Sequence, residues 1–228
     1  MKYLLTVLLF IGLTNVNAQS PEKREIASFD KIEVTGNIKV EMKLGNKESL
    51  EIRTHNIDPS DVVTEVDDKL LKIKMTSNLF DDEAKVTIRL TYREIREITS
   101  NASAEIIVKE TIKGDKVFAE ATSGGIIIME VELNAIELKA YQGAHIDVKG
   151  KCKIQESFIN TGGILSASNF ACDEVFIRMN TGGKAEIIAN KRIEANVNTG
   201  ASLSFFGLPE EELLKTTLGG KIIKWEEN

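Results

Sequence analysis

Few residues in this chain have the type and spacing that chemistry requires. His145 and Asp147 stand two apart in an alternating run, as a general base and the carboxylate that orients it would. No nucleophile signature accompanies them, so they read as a solvated surface pair. Glu137, Glu156, Glu174, Glu186 and Glu194 recur at outward positions, and glycoside hydrolysis needs two such carboxyls about 5–9.5 Å apart. They are interspersed with Lys and Arg, as on any solvated face, and no long loop is present to wall a cleft. Cys152 and Cys172 are the only cysteines, and His55 is the only other histidine. That set falls short of the four ligands of a structural zinc site. No catalytic residue, metal or cofactor is expected.

The elements that must position these groups form a repeat. A corner motif reads Thr99-Ser100-Asn101-Ala102, Thr122-Ser123-Gly124-Gly125, Tyr141-Gln142-Gly143-Ala144 and Asn160-Thr161-Gly162-Gly163. It continues as Asn180-Thr181-Gly182-Gly183, Asn198-Thr199-Gly200-Ala201 and Thr217-Leu218-Gly219-Gly220. Its third positions are separated by 23, 19, 19, 20, 18 and 19 residues, a regularity that scattered turns of an antiparallel sandwich would not produce. Before the corner, apolar residues alternate with polar ones, as in Ile136, Leu138, Ala140 and Val175, Ile177, Met179. After it the alternation resumes, as in Ala144, Ile146, Val148 and Leu203, Phe205. A period of two marks strands with one buried face.

Both flanks would bury the same side, and a small residue stands where an inward side chain would crowd the corner. A coil satisfies both conditions, each rung stacking on the last and like positions forming ladders. The predicted fold is therefore all-β, a right-handed parallel β-helix with rungs of about 18–23 residues. The left-handed hexapeptide type would show Ile or Val every six residues, a period not seen here. Asn160, Asn180 and Asn198 are expected to stack as an amide ladder beside Thr161, Thr181 and Thr199. Cys152 and Cys172 each lie ten residues before a corner glycine, hence at one place on adjacent rungs about 4.8 Å apart. A disulfide tolerates that spacing. Two stacked thiols acting as small hydrophobes are the other reading, and the sequence leaves both open.

Other segments are less regular. Gln155 and Ser157 fall at inward positions, with Ile154 and Phe158 one residue off; a bulge would restore the apolar face, and the sequence does not choose. Ile32 to Val34, Ile38 to Met42, Leu50 to Ile52, Leu71 to Met75 and Val86 to Leu90 also alternate. Their looser spacing predicts wider first rungs. Asp58-Pro59-Ser60-Asp61 predicts a short helical turn, and Pro209 to Leu214 another. Residues 209–228 are expected to form a C-terminal cap in which Trp225 covers the open core.

Lys2, the apolar run Leu4 to Leu13 and the small residues Val16 and Ala18 form a secretory signal over residues 1–18, cleaved after Ala18. The run is too short to span a bilayer, which takes about 20 residues. Residues 19–228 read as one domain. A net charge of −6 without Lys or Arg clusters argues against nucleic acid, because phosphate contacts need clustered cations. The location expected is outside the inner membrane, in the periplasm or at the cell surface. Outward apolar residues stand out: Phe118, Tyr141 and Phe176 before the corner, and Ile126, Ile128 and Ile164 after it. They form an interaction patch where they are contiguous, or else lie under loops, a capping helix or the first rungs.

The stretch Ser28-Phe29-Asp30-Lys31-Ile32-Glu33-Val34-Thr35-Gly36-Asn37-Ile38-Lys39-Val40 resembles the start of the head GIN domain family, described as auto-transporter adhesins and common in Bacteroidetes. Thr64-Glu65-Val66, Leu70-Leu71-Lys72-Ile73 and the Thr-Gly-Gly corners fit as well. The resemblance implies a β-helical fold and an envelope or surface location, and supplies no catalytic residue. The function expected is an exported, non-catalytic binding or structural module of the cell envelope, adhesin-like, whose partner is a protein, a glycan or a second copy of the chain. The alternative is a carbohydrate-active enzyme, a polysaccharide lyase or glycosidase, using paired acids among Glu137, Glu156 and Glu194. Fold analogy alone does not carry that alternative.

Overall fold

A computed structural model describes residues 21–76 and 84–225; the predicted leader lies outside them. Strands β1 (Glu22–Arg24), β2 (Lys31–Thr35), β3 (Ile38–Leu44), β4 (Ser49–His55), β5 (Val62–Asp67), β6 (Leu70–Met75) and β7 (Lys85–Tyr92) come first. They are followed by β8 (Glu97–Asn101), β9 (Glu105–Val108), β10 (Ile112–Thr122), β11 (Ile126–Tyr141) and β12 (His145–Asn160). The last are β13 (Ile164–Met179), β14 (Lys184–Val197), β15 (Ser202–Phe206), β16 (Glu211–Thr216) and β17 (Lys221–Lys224). From β8 onward every pairing is parallel and joins one rung to the next: β8 to β10, β9 to β11, then β11, β12, β13 and β14 in turn, with β15, β16 and β17 closing the stack. This is the parallel β-helix that the repeat implies.

The corners have one conformation. Thr161 and Gly162 both have positive φ, 49° and 71°, and the Gly163 N–H donates to the Asn160 carbonyl at 3.0 Å. That is the geometry of a type I′ turn. The same pair of positive angles recurs at Ser123/Gly124, Gln142/Gly143, Thr181/Gly182, Thr199/Gly200 and Leu218/Gly219. The first corner lies two residues later than the motif placed it, at Ala102/Ser103, with Ala104 as its small fourth residue. A type I′ turn usually closes a hairpin. Here the flanking strands part and pair with the rungs on either side, and the corners themselves form a ladder. The N–H groups of Gly143, Gly162 and Gly182 donate to the carbonyls of Thr161, Thr181 and Thr199 at 3.0–3.1 Å.

The fourth corner residue is small for a backbone reason. A Cβ at Gly163 would stand 2.1 Å from the Ala140 carbonyl oxygen, and one at Gly125 2.3 Å from that of Ser100. The amide ladder forms only in part. Asn198 donates to Asn180 at 3.1 Å and accepts from Thr217. The Asn160 side-chain Oδ1 instead accepts the Thr161 N–H of its own corner at 2.8 Å, and the rung before it carries Tyr141 at this position.

Three long strands bend once more, where the inward parity changes between Leu133 and Ile136, Cys152 and Gln155, and Cys172 and Val175; in β14 the inward run is interrupted between Ala189 and Ile193 and resumes with the same parity. The 20-residue interval between Gly162 and Gly182 contains a further shift, between Ala167 and Phe170, where the register with β12 and β14 also slips. These bends decide the Gln155 rung. Gln155 and Ser157 face the core at 0% and 1% exposure, while Ile154 is 38% exposed and Phe158 stands outside. Gln155 pairs in register with Ile136 and Val175, and Ser157 with Leu138 and Ile177. The ladder on both sides therefore imposes an inward position on polar residues. Gln155 Nε2 donates to Ser157 Oγ at 2.9 Å, which satisfies part of their polarity.

The first rungs are stacked out of chain order. β2 pairs in parallel with both β6 and β8, and β3 with both β7 and β9. Residues 31–44 are thus inserted between a rung that precedes β8 by one connection and β8 itself. Asp30 clamps the insertion. Its N–H donates to the Lys69 carbonyl at 3.0 Å, and its carbonyl accepts the Arg96 N–H at 2.7 Å. Its buried carboxylate pairs with the Arg96 guanidinium. Beyond this rung, β5 pairs antiparallel with β6, β4 with β7 and β1 with β4, which covers that end. The short helical turn at Pro59–Asp61 is present, capped by Asp58.

At the other end, Pro209 to Leu214 forms no helical turn. Pairing with β14 draws Glu211–Thr216 into a strand, since an edge strand satisfies more of the backbone than one isolated turn. Trp225 does not cover the core. It is 53% exposed and stacks on Phe206 with ring centroids 6.2 Å apart, while an ion pair between Glu212 and Lys224 at 2.5 Å occupies inward positions of the last rung.

The corner geometry sets a testable order of sensitivity. Gly162→Ala meets open space and only the left-handed backbone, at a cost of about 1–2 kcal/mol. Gly163→Ala drives a methyl into backbone, and a loss of about 3 kcal/mol is expected. Urea unfolding followed by circular dichroism measures both; an equal or larger loss at Gly162 contradicts the account.

Candidate functional site

The predicted interaction residues fall on two faces, one on each side of the corner. Phe118, Phe176 and Tyr141 lie before it, half-buried. In-register pairing sets Phe118, Glu137, Glu156, Phe176 and Glu194 in one column. The neighbouring column runs Glu120, Lys139, Phe158, Arg178 and Asn196. Phe158 joins this aromatic set because the Gln155 register turned it outward. Each of the three phenylalanine rings is covered by a cation. Lys139 lies 4.7 Å from the centroid of Phe118 and 5.7 Å from that of Phe158, Arg178 lies 5.7 Å from Phe158, and Arg192 lies 5.5 Å from Phe176. Such contacts contribute about 0.5–1 kcal/mol at exposed sites and leave the rings little free face. The Glu137 carboxylate beside Lys139 raises the ammonium's pKa, and burial pushes the Tyr141 phenol up.

Three of the five acids fall among these cations. Glu137 binds Lys139 at 2.9 Å and Lys116 at 3.8 Å, Glu194 binds Arg192 at 3.5 Å, and Glu174 pairs in register with Arg192. Glu186 lies on the other face, in register with Ser166. Glu156, Glu194, Phe158 and Arg178 border a depression of about 250 Å³, below the about 300–1,000 Å³ usual for ligand pockets. Among the described residues, no group of three or more His, Cys, Asp or Glu side chains could hold a metal ion.

The face after the corner is different. Ile126, His145 and Ile164 follow one another in a column. Ile107, Ile128 and Asp147 do so in the next. Ile107 was not singled out from the sequence, although its register with Ile128 follows from the rung length. Ile107, Ile126 and Ile128 are therefore neighbours and half-buried, and Ile164, 36% exposed, lies beyond His145. The imidazole Nε2 of His145 lies 2.9 Å from the Ser166 hydroxyl, and Ser166 pairs in register with Asp147. The Ser166 contact escaped the sequence reading because it joins residues of different rungs. Ser, His and Asp here lie on an open sheet with strand backbone already committed to the ladder. Backbone N–H groups held in that ladder are not available to stabilise an oxyanion, which acyl transfer requires.

On the short side between the faces, Cys152 and Cys172 pair in register with Cα atoms 4.6 Å apart and the sulfurs joined. His55 lies far away in sequence, on β4 at the covered end. Among the described residues, no helix is long and apolar enough to cross a membrane.

Comparison with known proteins follows the fold. The family described as "Putative auto-transporter adhesin, head GIN domain" matches residues 28–209. No curated protein matches the chain. A putative adhesin from Bacteroides fragilis superposes with a TM-score of 0.75 at 17% identity, covering 90% of this chain and 95% of that one. A putative lipid binding protein from Parabacteroides distasonis gives 0.73 at 19%, covering 91% and 98%. A putative adhesin from Parabacteroides merdae gives 0.68 at 16%, covering 91% and 96%. At these identities the likeness is one of fold.

The bond between Cys152 and Cys172 closes a loop with a sequence separation of 20, for which the chain-entropy estimate is about 3 kcal/mol. Urea unfolding with and without reductant is expected to show a loss of that order, absent in a Cys152→Ser/Cys172→Ser double variant. An unchanged midpoint on reduction means that the exported protein does not hold the bond.

Proposed function

We propose that this chain, which belongs to the head GIN domain family of auto-transporter adhesins, is an exported, non-catalytic binding module of the cell envelope that engages a partner through the face after its corners. The observation that carries the reading is the run of outward isoleucines on this face, Ile107, Ile126 and Ile128 side by side and half-buried, with the exposed Ile164 beyond His145. An exposed apolar group rimmed by polar residues is the usual mark of an interaction surface. Here the rim holds the Lys39–Glu105 pair at 3.1 Å, Asp147 and Lys184.

The same observation favours protein over glycan as the partner. Sugar rings stack on free aromatic faces, and on the face before the corner the rings of Phe118, Phe158 and Phe176 are already covered by Lys139, Arg178 and Arg192. Aliphatic side chains on a flat sheet suit another protein's apolar surface. The His145 imidazole, the Ser166 hydroxyl and the Asp147 carboxylate add hydrogen-bonding groups that orient it. An enzyme of the lyase or glycosidase type would need paired, unneutralised acids in a cleft, and Glu137, Glu156 and Glu194 have no such setting. Export fits the surface role, and protease shaving of intact cells places the domain outside or inside the outer membrane.

The mature protein is tested on immobilised extracellular proteins and on a glycan array. Binding to protein is expected, weakened about tenfold by Ile128→Lys or Ile164→Lys, the effect of removing a central contact, and little changed by Phe176→Ala. Glycan binding that is lost with Phe176→Ala and kept in the isoleucine variants sinks the reading.

A further inference from the structure

The two ends of the β-helix are built differently. Antiparallel strands cover the end at β6 and β7. At the other end β16 pairs only with β14, and β17 only with β15, among the described residues. The outer edge of this last rung carries unpaired backbone groups, which make an edge strand a template for another strand. Most of the large apolar side chains exposed on the molecule gather there: Leu208 at 79%, Leu218 at 81%, Trp225 at 53%, Leu213 at 48%, Ile223 at 45% and Leu214 at 41%.

The strand at this edge is self-complementary. Glu211, Leu213 and Lys215 of β16 point outward, in register with Arg192, Glu194 and Asn196 of the rung below. We infer that a second copy of this chain docks here, end to end, about a twofold axis through Leu213, so that the two β16 strands pair antiparallel. Residues on one side of the strand then face their counterparts. Leu213 meets Leu213 of the second copy, and Glu211 meets Lys215 of the second copy on both sides of the axis. Lys215 makes no ion pair with a described residue, and Glu211 makes only a 3.5 Å contact with Arg192. The charges at the centre of the end, Glu212 and Lys224, neutralise each other and oppose no approach. The contact is isologous, so pairing consumes both open edges and the assembly stops at two. The dimer is twice as long as one chain and carries its isoleucine faces on both halves, and it does not depend on what those faces bind.

Light scattering coupled to size exclusion, on the mature chain, is expected to give twice the mass of one chain. Glu211→Lys places like charges opposite each other and is expected to halve that mass. The double variant Glu211→Lys/Lys215→Glu restores the complement and the dimer. Leu213→Cys is expected to yield a covalent dimer on oxidation, whereas Lys215→Cys, offset from its counterpart by four residues, is not. Circular dichroism confirms that each variant is folded. A monomeric wild type, a dimer indifferent to Glu211→Lys, failure of the charge swap to restore it, or cross-linking at Lys215→Cys but not at Leu213→Cys each overturns the proposal.

Discussion

The rung-to-rung register governs this molecule, and the corner turns hold it. Two consecutive residues in the left-handed region, Thr161 and Gly162 or their counterparts, redirect the chain, while the corner amides stay hydrogen-bonded to the next rung. Once the corners stack, every residue between them is assigned a column and a side. The core of Ile136, Leu138, Val175 and Ile177 follows from that assignment. So does the pairing of Cys152 with Cys172, and so does the burial of Gln155 and Ser157, which no hydrophobic preference would have placed inside. Ladder hydrogen bonds run the length of each strand, so slipping one rung to expose Gln155 would break all of them on two sides at once.

A solenoid that buries its core by repetition leaves two ends, and each must be closed by something other than another rung. This chain closes one by folding back. The rung of β2 and β3 is laid down first, then enclosed by β6 and β7, which are shielded in turn by antiparallel strands. Asp30, reaching Lys69 and Arg96 through its backbone and Arg96 through its carboxylate, ties the three layers together. It belongs to the opening segment that resembles the family. The other end keeps its edge and places Glu212 and Lys224 where a core residue would be.

The outer faces show how one register can yield surfaces of different character. Columns before the corner alternate acids, cations and rings, so that their charge and aromatic surface are satisfied internally. Columns after the corner bring isoleucines together from three rungs. Fold likeness to adhesins and to a lipid binding protein does not choose between such faces; the distribution of uncovered apolar surface does.

Strand positions, the inward alternation, the corners and the alignment of the cysteines were legible in the residues, because period-two patterning and turn chemistry are local properties repeated at constant spacing. The first corner was misplaced by two residues, since Ala102 and Ala104 are chemically alike and only the backbone angles tell them apart. The order of the first rungs was not legible. Lys31 pairs with both Leu70 and Glu97, and nothing in the local spacing says which segment a strand will choose that far along the chain. The outward turn of Phe158, the contact of His145 with Ser166 and the ion pair at the last rung likewise depend on neighbours one rung away. The sequence by itself determined that the chain coils and which side of each strand is buried. Tertiary structure decided which rungs are neighbours, and therefore which outward side chains share a face.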